Sequence, residues 1–227
     1  IEIGAGKGAL TSPLAQKAGR IIAIEKDSSL IPALQKKRLS NVLILEKNIL
    51  KIDFRDLISE EKIKLVGNLP YSISSSILFK VFAEKELISE CFFLLQKEVA
   101  ERLCAIPGTK KYAPISILFQ NYFSAELLFT LSPASFSPPP QVKSALISLK
   151  RRRKPLYLIE SDKIFLQFLK AAFQHRRKKL INNLIKMNFS SSQAKQSLPS
   201  CRIGEGARPE QVSLSQYVKL FNTLYKE

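Results

Sequence analysis

Strand-like and helix-like segments alternate along the first half of the chain, and this alternation constrains the fold more than any other feature. Short apolar runs rich in β-branched or aromatic residues lie at 1–3, 20–25, 42–45, 63–66 and 91–95. Segments with helical spacing lie between them at 10–18, 30–38, 74–83 and 97–104. Such alternation predicts parallel strands joined by crossover helices on both faces, which is a doubly wound α/β sheet.

The pattern changes in the second half of the chain. A predicted helix at 114–122 leads to a strand at 125–131, then to the proline-rich loop SPASFSPPP and a further strand at 142–149. Two strands joined so directly predict an antiparallel pair at the edge of the sheet. The basic stretch KRRRKP follows at 150–155, and only helical patterns lie beyond it. We therefore expect an α/β domain over residues 1–154 and a small, basic, all-helical domain over residues 155–227.

Charge points to an anionic partner. The formal net charge is +17, and residues 151–227 carry 16 Lys and Arg against 5 Asp and Glu. A field of this sign favours nucleic acid or an anionic membrane surface, although a basic surface can also serve solubility alone. No apolar run approaches the roughly 18 residues that cross a bilayer. With one histidine and three cysteines that form no CxxC pair, the sequence predicts no metal site.

The stretch EIGAGKGAL, residues 2–10, has glycines at 4, 6 and 8 between the first predicted strand and the first predicted helix. Glycines there allow a tight turn and a close approach of the backbone to a ligand. Glu25 ends the second predicted strand, where a carboxylate can accept hydrogen bonds from both ribose hydroxyls of an adenosine. The pair predicts an adenosine cofactor without distinguishing a dinucleotide from other kinds. A glycine-rich turn that holds no ligand is the alternative.

The stretch GNLPY, residues 67–71, ends the fourth predicted strand. Ligands of open α/β sheets bind beyond the carboxyl ends of the strands, near the point where strand order reverses. The Asn68 side-chain oxygen and a carbonyl of Leu69 or Pro70 can together accept both hydrogens of a planar amine. The Tyr71 ring can stack on an aromatic base, or it can be an ordinary core side chain. This set of groups suits the exocyclic amine of adenine.

Taken together, EIGAGKG and NLPY resemble the S-adenosylmethionine-dependent RNA adenine methyltransferases. Other stretches narrow the resemblance to the small-subunit ribosomal RNA adenine N6,N6-dimethyltransferases: LLQKEVAERL with PG, FSPPPQVKSALISL, FQHRRKKLINNL and ARPEQVS. The resemblance covers essentially the whole chain. Because the sequence starts without methionine and within a strand-like run, we interpret it as lacking the family's first segment.

The resemblance implies a Rossmann-like methyltransferase fold with S-adenosylmethionine as cofactor. It assigns the cofactor to Glu2, Gly4, Gly6, Glu25, Asn48 and Asn68, and the catalytic segment to Asn68, Leu69, Pro70 and Tyr71. Asn48 departs from the aspartate usual in the family, and we expect weaker or altered cofactor binding because only one amide oxygen remains to accept from the adenine amine. Tyr71 and Phe136 are expected to stack on the target base, although Phe136 could instead anchor its loop.

The resemblance also implies the partner. The substrate is expected to be small-subunit ribosomal RNA within an immature subunit, bound by a monomer in the cytoplasm with no membrane attachment. The basic residues expected to bind RNA are Arg151, Arg152, Arg153, Arg176, Arg177, Lys178 and Lys179. We expect the last four to lie on a helix and so to point in different directions.

Three other functions stay open on the sequence. A large-subunit adenine methyltransferase shares the fold and the NxPY chemistry, but the helical module and PPPQVKSA fit the small-subunit enzymes better. A nucleic-acid-binding relative without turnover is suggested by Asn48 and opposed by the intact NLPY. A nicotinamide dehydrogenase would need a polar residue that handles hydride at the point where strand order reverses, and such an enzyme gives no reason for NLPY there.

Overall fold

The sheet has seven strands. In the computed structural model, which describes residues 1–58 and 62–225, they are β1 (Glu2–Ile3), β2 (Ile21–Glu25), β3 (Val42–Glu46), β4 (Ile63–Asn68), β5 (Ile88–Gln96), β6 (Phe123–Leu131) and β7 (Ser144–Arg151). Their order is β3-β2-β1-β4-β5-β7-β6. Strands β1 to β5 pair in parallel and β7 pairs antiparallel with β5. The predicted Rossmann-like sheet is confirmed.

Helices cross between the strands as expected. They are α1 (Thr11–Ala15), α2 (Ile31–Gln35), α3 (Ser74–Ala83), α4 (Lys97–Cys104) and α5 (Pro114–Tyr122). The bounds of the last three match the predicted ones. Helices α1 and α2 are shorter than predicted, and after α2 the chain turns at Arg38, which has a left-handed φ of 49°. Left-handed backbone cannot continue a right-handed helix. The helical spacing at 30–38 therefore extends beyond the end of α2 at Gln35.

Strand β4 runs two residues further than its apolar pattern predicts, to Asn68. Ile63, Leu65 and Gly67 are buried, whereas Lys64 and Asn68 on the opposite side are exposed. A side-chain carbon at Gly67 would lie 2.6 Å from the Ile3 carbonyl oxygen, closer than van der Waals contact allows. Glycine here lets β4 lie directly against β1 and carry the polar Asn68 to the end of the strand.

The described residues form two compact units, and these differ from the two predicted domains. One unit comprises residues 1–100 and 124–151, and the other comprises 101–123 and 152–227. The expected boundary at 154/155 misses the segment 101–123, which belongs with the helical residues. There the Asn121 side chain donates to the Tyr157 carbonyl at 3.0 Å, and the Tyr122 hydroxyl donates to Asp162 at 2.6 Å. These contacts join distant parts of the chain, so a local pattern does not reveal them.

Four further helices lie in the second unit: α6 (Asp162–Ala172), α7 (Leu180–Lys186), α8 (Ser191–Ser200) and α9 (Leu214–Tyr225). Their core is aromatic, with the Phe221 ring 5.2 Å from Phe165 and 5.5 Å from Phe168 between centroids. Buried rings of this kind contribute about 1 kcal/mol per pair beyond the apolar area that they bury. In the part of the chain that the structure describes, no helix is both long and apolar enough to cross a membrane.

Candidate active site

The glycine-rich turn and the NLPY segment lie side by side because β1 lies between β2 and β4. A side-chain carbon added at Gly4 would lie 3.9 Å from the backbone carbonyl oxygen of Asn68. Strand order reverses here, because the chain adds β2 and β3 on one side of β1 and then β4 and β5 on the other. Such a reversal opens a crevice at the carboxyl ends of the strands, which is where ligands of these sheets bind.

Glu25 is fixed by three backbone donors at the carboxyl end of β2. Its Oε2 accepts from the Gly6 N–H at 2.8 Å, and its Oε1 accepts from Lys26 and Asp27 at 2.7 and 2.9 Å. Gly6 reaches this position with a left-handed φ of 57°, which glycine adopts without strain. The carboxylate is therefore held rigidly against the glycine turn. Oε2 can still accept a further hydrogen bond, whereas both lone-pair sites of Oε1 are taken.

A cleft of about 410 Å³ opens between these elements. Four predicted residues line it, namely Gly4, Glu25, Asn48 and Pro70. The remaining lining residues, which the sequence analysis missed, are Ile3, Ile24, Lys26, Asp27, Lys47, Ile49 and Ile73. Lys26, Asp27 and Lys47 follow directly on the ends of β2 and β3, so their position at the carboxyl edge was the available signal. Apolar walls with a few fixed polar groups suit a nucleoside.

The Asn48 side chain holds its own loop. Its Oδ1 accepts from the Leu50 N–H at 3.0 Å and caps the turn that begins at Ile49. This bond uses the oxygen that the sequence analysis assigned to the adenine amine. The oxygen has a second lone pair. An aspartate would add a second, charged oxygen, so the departure from the family pattern leaves the cleft a weaker acceptor at this position.

Glu2 does not line this cleft. Its side chain is buried on the face of β1 opposite to Ile3, and its Oε2 has no hydrogen-bond partner. Burial raises the pKa of the Glu2 carboxyl, and the neighbouring Thr11 hydroxyl offsets this only in part. Such an orphaned acceptor would gain from a cationic or hydrogen-bond-donating ligand.

The NLPY residues divide into exposed and buried groups. Asn68 and Pro70 are exposed, whereas the Leu69 side chain is 1% exposed and belongs to the core. The Leu69 N–H donates to the Leu94 carbonyl at 3.1 Å, and the Pro70 carbonyl accepts from the Ile73 N–H at 3.1 Å. Leu69 can therefore act only through its backbone carbonyl, and the Pro70 carbonyl is already engaged in a turn. Asn68 offers its amide at the end of β4.

The two aromatic residues expected at the target base are both half-buried. The Tyr71 hydroxyl forms a hydrogen bond with Ser144, a residue that the sequence analysis did not single out. Phe136 follows a short 3-10 turn, and its N–H donates to the Pro133 carbonyl at 3.1 Å. The loop that carries Phe136 joins β6 to β7, and β7 begins with Ser144 paired to Gln96 at the end of β5. Phe136 thus belongs to a loop that enters the sheet at its carboxyl edge.

Three of the arginines predicted to bind RNA make contacts within their own units. The Arg151 side chain is 6% exposed and donates to Glu86 at 2.6 Å, which contradicts a role in binding phosphate. Arg152 Nε donates to the Gln120 carbonyl at 3.3 Å. Arg176 donates to the Tyr112 carbonyl at 2.9 Å, and its guanidinium lies 4.0 Å from Glu210. Burial and pairing leave these side chains less available to a polyanion.

The remaining predicted basic residues, Arg153, Arg177, Lys178 and Lys179, are exposed. Residues 176–179 do not lie on a helix, which corrects the expectation, because α6 ends at Ala172 and α7 starts at Leu180. Asn183 accounts for the break, since its side chain donates to the Ala172 carbonyl at 2.7 Å at the end of α6. Nearby, the positive charge of Lys186 lowers the pKa of His175. The chain therefore presents three consecutive cations on one turn.

Comparison with known proteins identifies the family. The family profile described as ribosomal RNA adenine dimethylase matches residues 1–226. The chain belongs to the ribosomal RNA adenine dimethylase family. Two relatives, both named ribosomal RNA small subunit methyltransferase A, support this membership. The protein of Syntrophus aciditrophicus is 39% identical over 99% of this chain and 83% of its own length. That of Caldanaerobacter subterraneus subsp. tengcongensis is 38% identical over 99% and 86%.

Solved structures agree with the dimethylase fold. A dimethyladenosine transferase from Plasmodium falciparum superposes with a TM-score of 0.80 at 23% identity, covering 99% of this chain and 89% of the other. The 23S rRNA methyltransferase ErmE superposes with a TM-score of 0.75 at 24% identity, covering 98% and 89%. These structures support the fold, and the family profile with the two relatives confirms the family that the sequence motifs resemble. Among residues 1–58 and 62–225, no group of three or more His, Cys, Asp or Glu side chains is arranged to hold a metal ion.

Proposed function

We propose that this protein transfers methyl groups from S-adenosylmethionine to the exocyclic amines of two adjacent adenosines near the 3′ end of small-subunit ribosomal RNA. The observation that carries the proposal is the exposed Asn68 at the end of β4, next to the glycine turn, in a chain of the dimethylase family. The two relatives described above support the small-subunit substrate, because both are named for that subunit.

The residues around the 410 Å³ cleft suit S-adenosylmethionine. Glu25 would accept from the ribose through Oε2, Gly4 and Gly6 would border the methionine portion, and Ile24 and Ile49 would contact the adenine. When bound, S-adenosylmethionine supplies an electrophilic methyl group on a sulfonium. The protein contributes a rigid carboxylate and a glycine turn that admits the ligand closely, so the methyl group is held at a fixed position.

Asn68 and Leu69 are proposed to prepare the target amine. The lone pair of an adenine amine is delocalised into the ring, so the amine is a weak nucleophile. Hydrogen bonds accepted by the Asn68 side-chain oxygen and the Leu69 carbonyl would favour the pyramidal amine and aim its lone pair at the methyl group. We favour the Leu69 carbonyl because that of Pro70 already accepts from Ile73. In an in-line displacement the amine nitrogen would bond to the methyl carbon as the carbon–sulfur bond breaks, leaving a neutral thioether, and the amine proton would pass to solvent. Such a transfer needs positioning more than a strong base.

Tyr71 and Phe136 are proposed to stack on the adenine after it leaves its helix or loop. Arg153, Arg177, Lys178 and Lys179 are proposed to contact phosphates, because their exposed charges lie in the more basic part of the chain. RNA in this setting is read by shape and backbone, which suits a broad basic surface. Action on an immature subunit, a monomeric state and a cytoplasmic location stay predictions.

The test measures transfer by the chain together with any residues that precede Ile1 in the natural protein. Tritiated S-adenosylmethionine and immature small subunits are incubated with the wild type and with Asn68→Ala, and the RNA nucleosides are then analysed. We expect dimethyladenosine with the wild type. In Asn68→Ala we expect the rate of methyl transfer to fall at least about 100-fold, as for other preorganised catalytic hydrogen bonds. The affinity of the variant for the cofactor should be nearly unchanged.

Lys64→Ala is the matched control, since Lys64 is exposed on the same side of β4 as Asn68 but near the other end of the strand. Wild-type turnover in Asn68→Ala would remove the proposed role of that residue. Label on large-subunit RNA instead would favour the large-subunit alternative. No label from a wild-type protein that binds cofactor and RNA would favour the relative without turnover.

A further inference from the structure

Tyr71 is tied at its hydroxyl to a buried residue on a distant strand. Its Oη and the Ser144 Oγ lie 2.5 Å apart, a short hydrogen bond between residues 73 positions apart in the sequence. Ser144 is 0% exposed. A hydroxyl shielded from water needs a partner inside the protein, and the Tyr71 hydroxyl provides one.

The reversed direction of β7 explains how the two residues meet. Asn68 pairs with Leu94 on β5, and two residues further along β5 Gln96 pairs with Ser144. Because β7 is antiparallel to β5, its first residue lies at the same edge of the sheet as the last residues of β4 and β5. Ser144 therefore stands where the NLPY segment leaves the sheet.

The main chain of the same segment is held as well. The Ser74 hydroxyl donates to the Tyr71 carbonyl at 3.1 Å, and the Ile73 N–H donates to the Pro70 carbonyl at 3.1 Å. Tyr71 is thus fixed at its backbone and at the tip of its ring, while the ring between stays half-exposed. Core tyrosines in this protein differ, because Tyr112 and Tyr217 are buried together with their rings.

We propose that Ser144 is a positioning residue for methyl transfer, which sets the orientation of the Tyr71 ring against the target adenine. The inference rests on the proposed function, since it gives Tyr71 a base to stack on. A tyrosine without an anchor at its hydroxyl can swing about its side-chain torsions, and an ordered ring loses less conformational freedom when the base arrives. Ser144 touches neither the RNA nor the cofactor in this proposal and acts only through Tyr71.

A double-mutant cycle tests the inference with the wild type, Ser144→Ala, Tyr71→Phe and the double variant. Tyr71→Phe keeps the ring and removes the hydroxyl, so it breaks the same hydrogen bond from the other end. We expect each single variant to lower kcat/KM for the RNA about tenfold, as for a lost buried hydrogen bond. Cofactor affinity, measured by equilibrium dialysis without RNA, is expected to stay within about twofold. The double variant is expected to be no slower than Tyr71→Phe, because the two changes remove one interaction.

Ser148→Ala is the matched control. Ser148 is a buried serine four residues further along β7, on the same side of the strand as Ser144. Its removal should leave transfer unchanged. If Ser144→Ala does not fold, Tyr71→Phe reports the same bond.

Three results would overturn the inference. Wild-type kcat/KM in both single variants would overturn the inference and leave the proposed function standing. Losses of kcat/KM that multiply in the double variant would do the same, because a general weakening of β7 acts independently of the Tyr71 hydroxyl. Absence of transfer by the wild type would overturn the proposed function and the inference with it. The first two results leave wild-type transfer intact, so the two failures are distinguishable.

Discussion

Asn48 has one side-chain oxygen, and that oxygen is bonded to its own loop. The Leu50 N–H donates to it at 3.0 Å, and Asn48 also lines the cleft proposed for the cofactor. A carboxylate at this position would cap the same N–H with one oxygen and offer the other to the cleft. The single atom that differs between asparagine and aspartate therefore determines whether the cleft has a charged acceptor that is not shared with the loop.

We predict that Asn48→Asp strengthens S-adenosylmethionine binding about fivefold to tenfold, as expected for one added charge-assisted hydrogen bond. Equilibrium dialysis measures the dissociation constant. Asp53→Asn is the matched control, because Asp53 caps the Arg55 N–H at 2.9 Å in the same way but does not line the cleft. Weaker binding in Asn48→Asp would show that the amide group serves the cofactor better than a carboxylate, and equal binding would show that the added oxygen does not reach the cofactor.

The turn between α6 and α7 carries the exposed cations Arg177, Lys178 and Lys179. A turn can direct neighbouring side chains towards one surface, whereas consecutive residues of a helix point about 100° apart. The turn is rigid at both ends, since Asn183 holds the Ala172 carbonyl and the Leu180 N–H donates to the Ala207 carbonyl at 2.8 Å. Among the basic residues of the second unit, those on this turn are the best suited to bind phosphate.

We predict that Lys178→Ala with Lys179→Ala weakens RNA binding and reduces the slope of log K against log salt by about 1.5, which corresponds to about two phosphate contacts. Filter binding at several salt concentrations gives the slope. Lys163→Ala with Lys195→Ala is the matched control, because it removes two exposed lysines elsewhere in the same unit. Equal slopes for the two double variants would mean that net charge, and not this turn, determines binding.

Sequence patterns predicted those elements that depend on neighbouring residues in the chain. The periods of α3, α4 and α5 gave their bounds, and the glycine turn and NLPY lie together as the topology of an α/β sheet requires. The failures depend on distant partners. Arg151 looks like a free cation until Glu86 pairs with it, and Ser144 looks like an ordinary strand residue until Tyr71 meets it across 73 positions. No local period carries information of that kind.

At the scale of the whole molecule, the two compact units are interleaved along the chain. The helical unit takes residues 101–123 from between two parts of the sheet unit. Helix α5 lies in this segment and is buried around most of its circumference, with Ile117, Leu118 and Phe119 fully buried. Its hydrogen-bond partners Tyr157 and Asp162 lie beyond the predicted boundary at 154.

We predict that a chain shortened to residues 1–154 aggregates, because α5 then exposes apolar side chains that are buried in the complete unit. A second shortened chain, with residues 101–123 replaced by a flexible Gly-Ser linker, should elute as a monomer in size-exclusion chromatography. Similar behaviour of the two chains would contradict the division into these units. The complete chain serves as the positive control.

The interleaving also orders the events of biosynthesis. A ribosome releases the chain from its amino end, so α5 emerges before any of α6 to α9 has been made. The sheet has all its strands once Arg151 has left the exit tunnel, whereas Phe221, which packs on Phe165 and Phe168, lies in the last helix. During the interval α5 is a nascent apolar helix that lacks its later partners Tyr157 and Asp162, and a chaperone that binds such segments would find its target there.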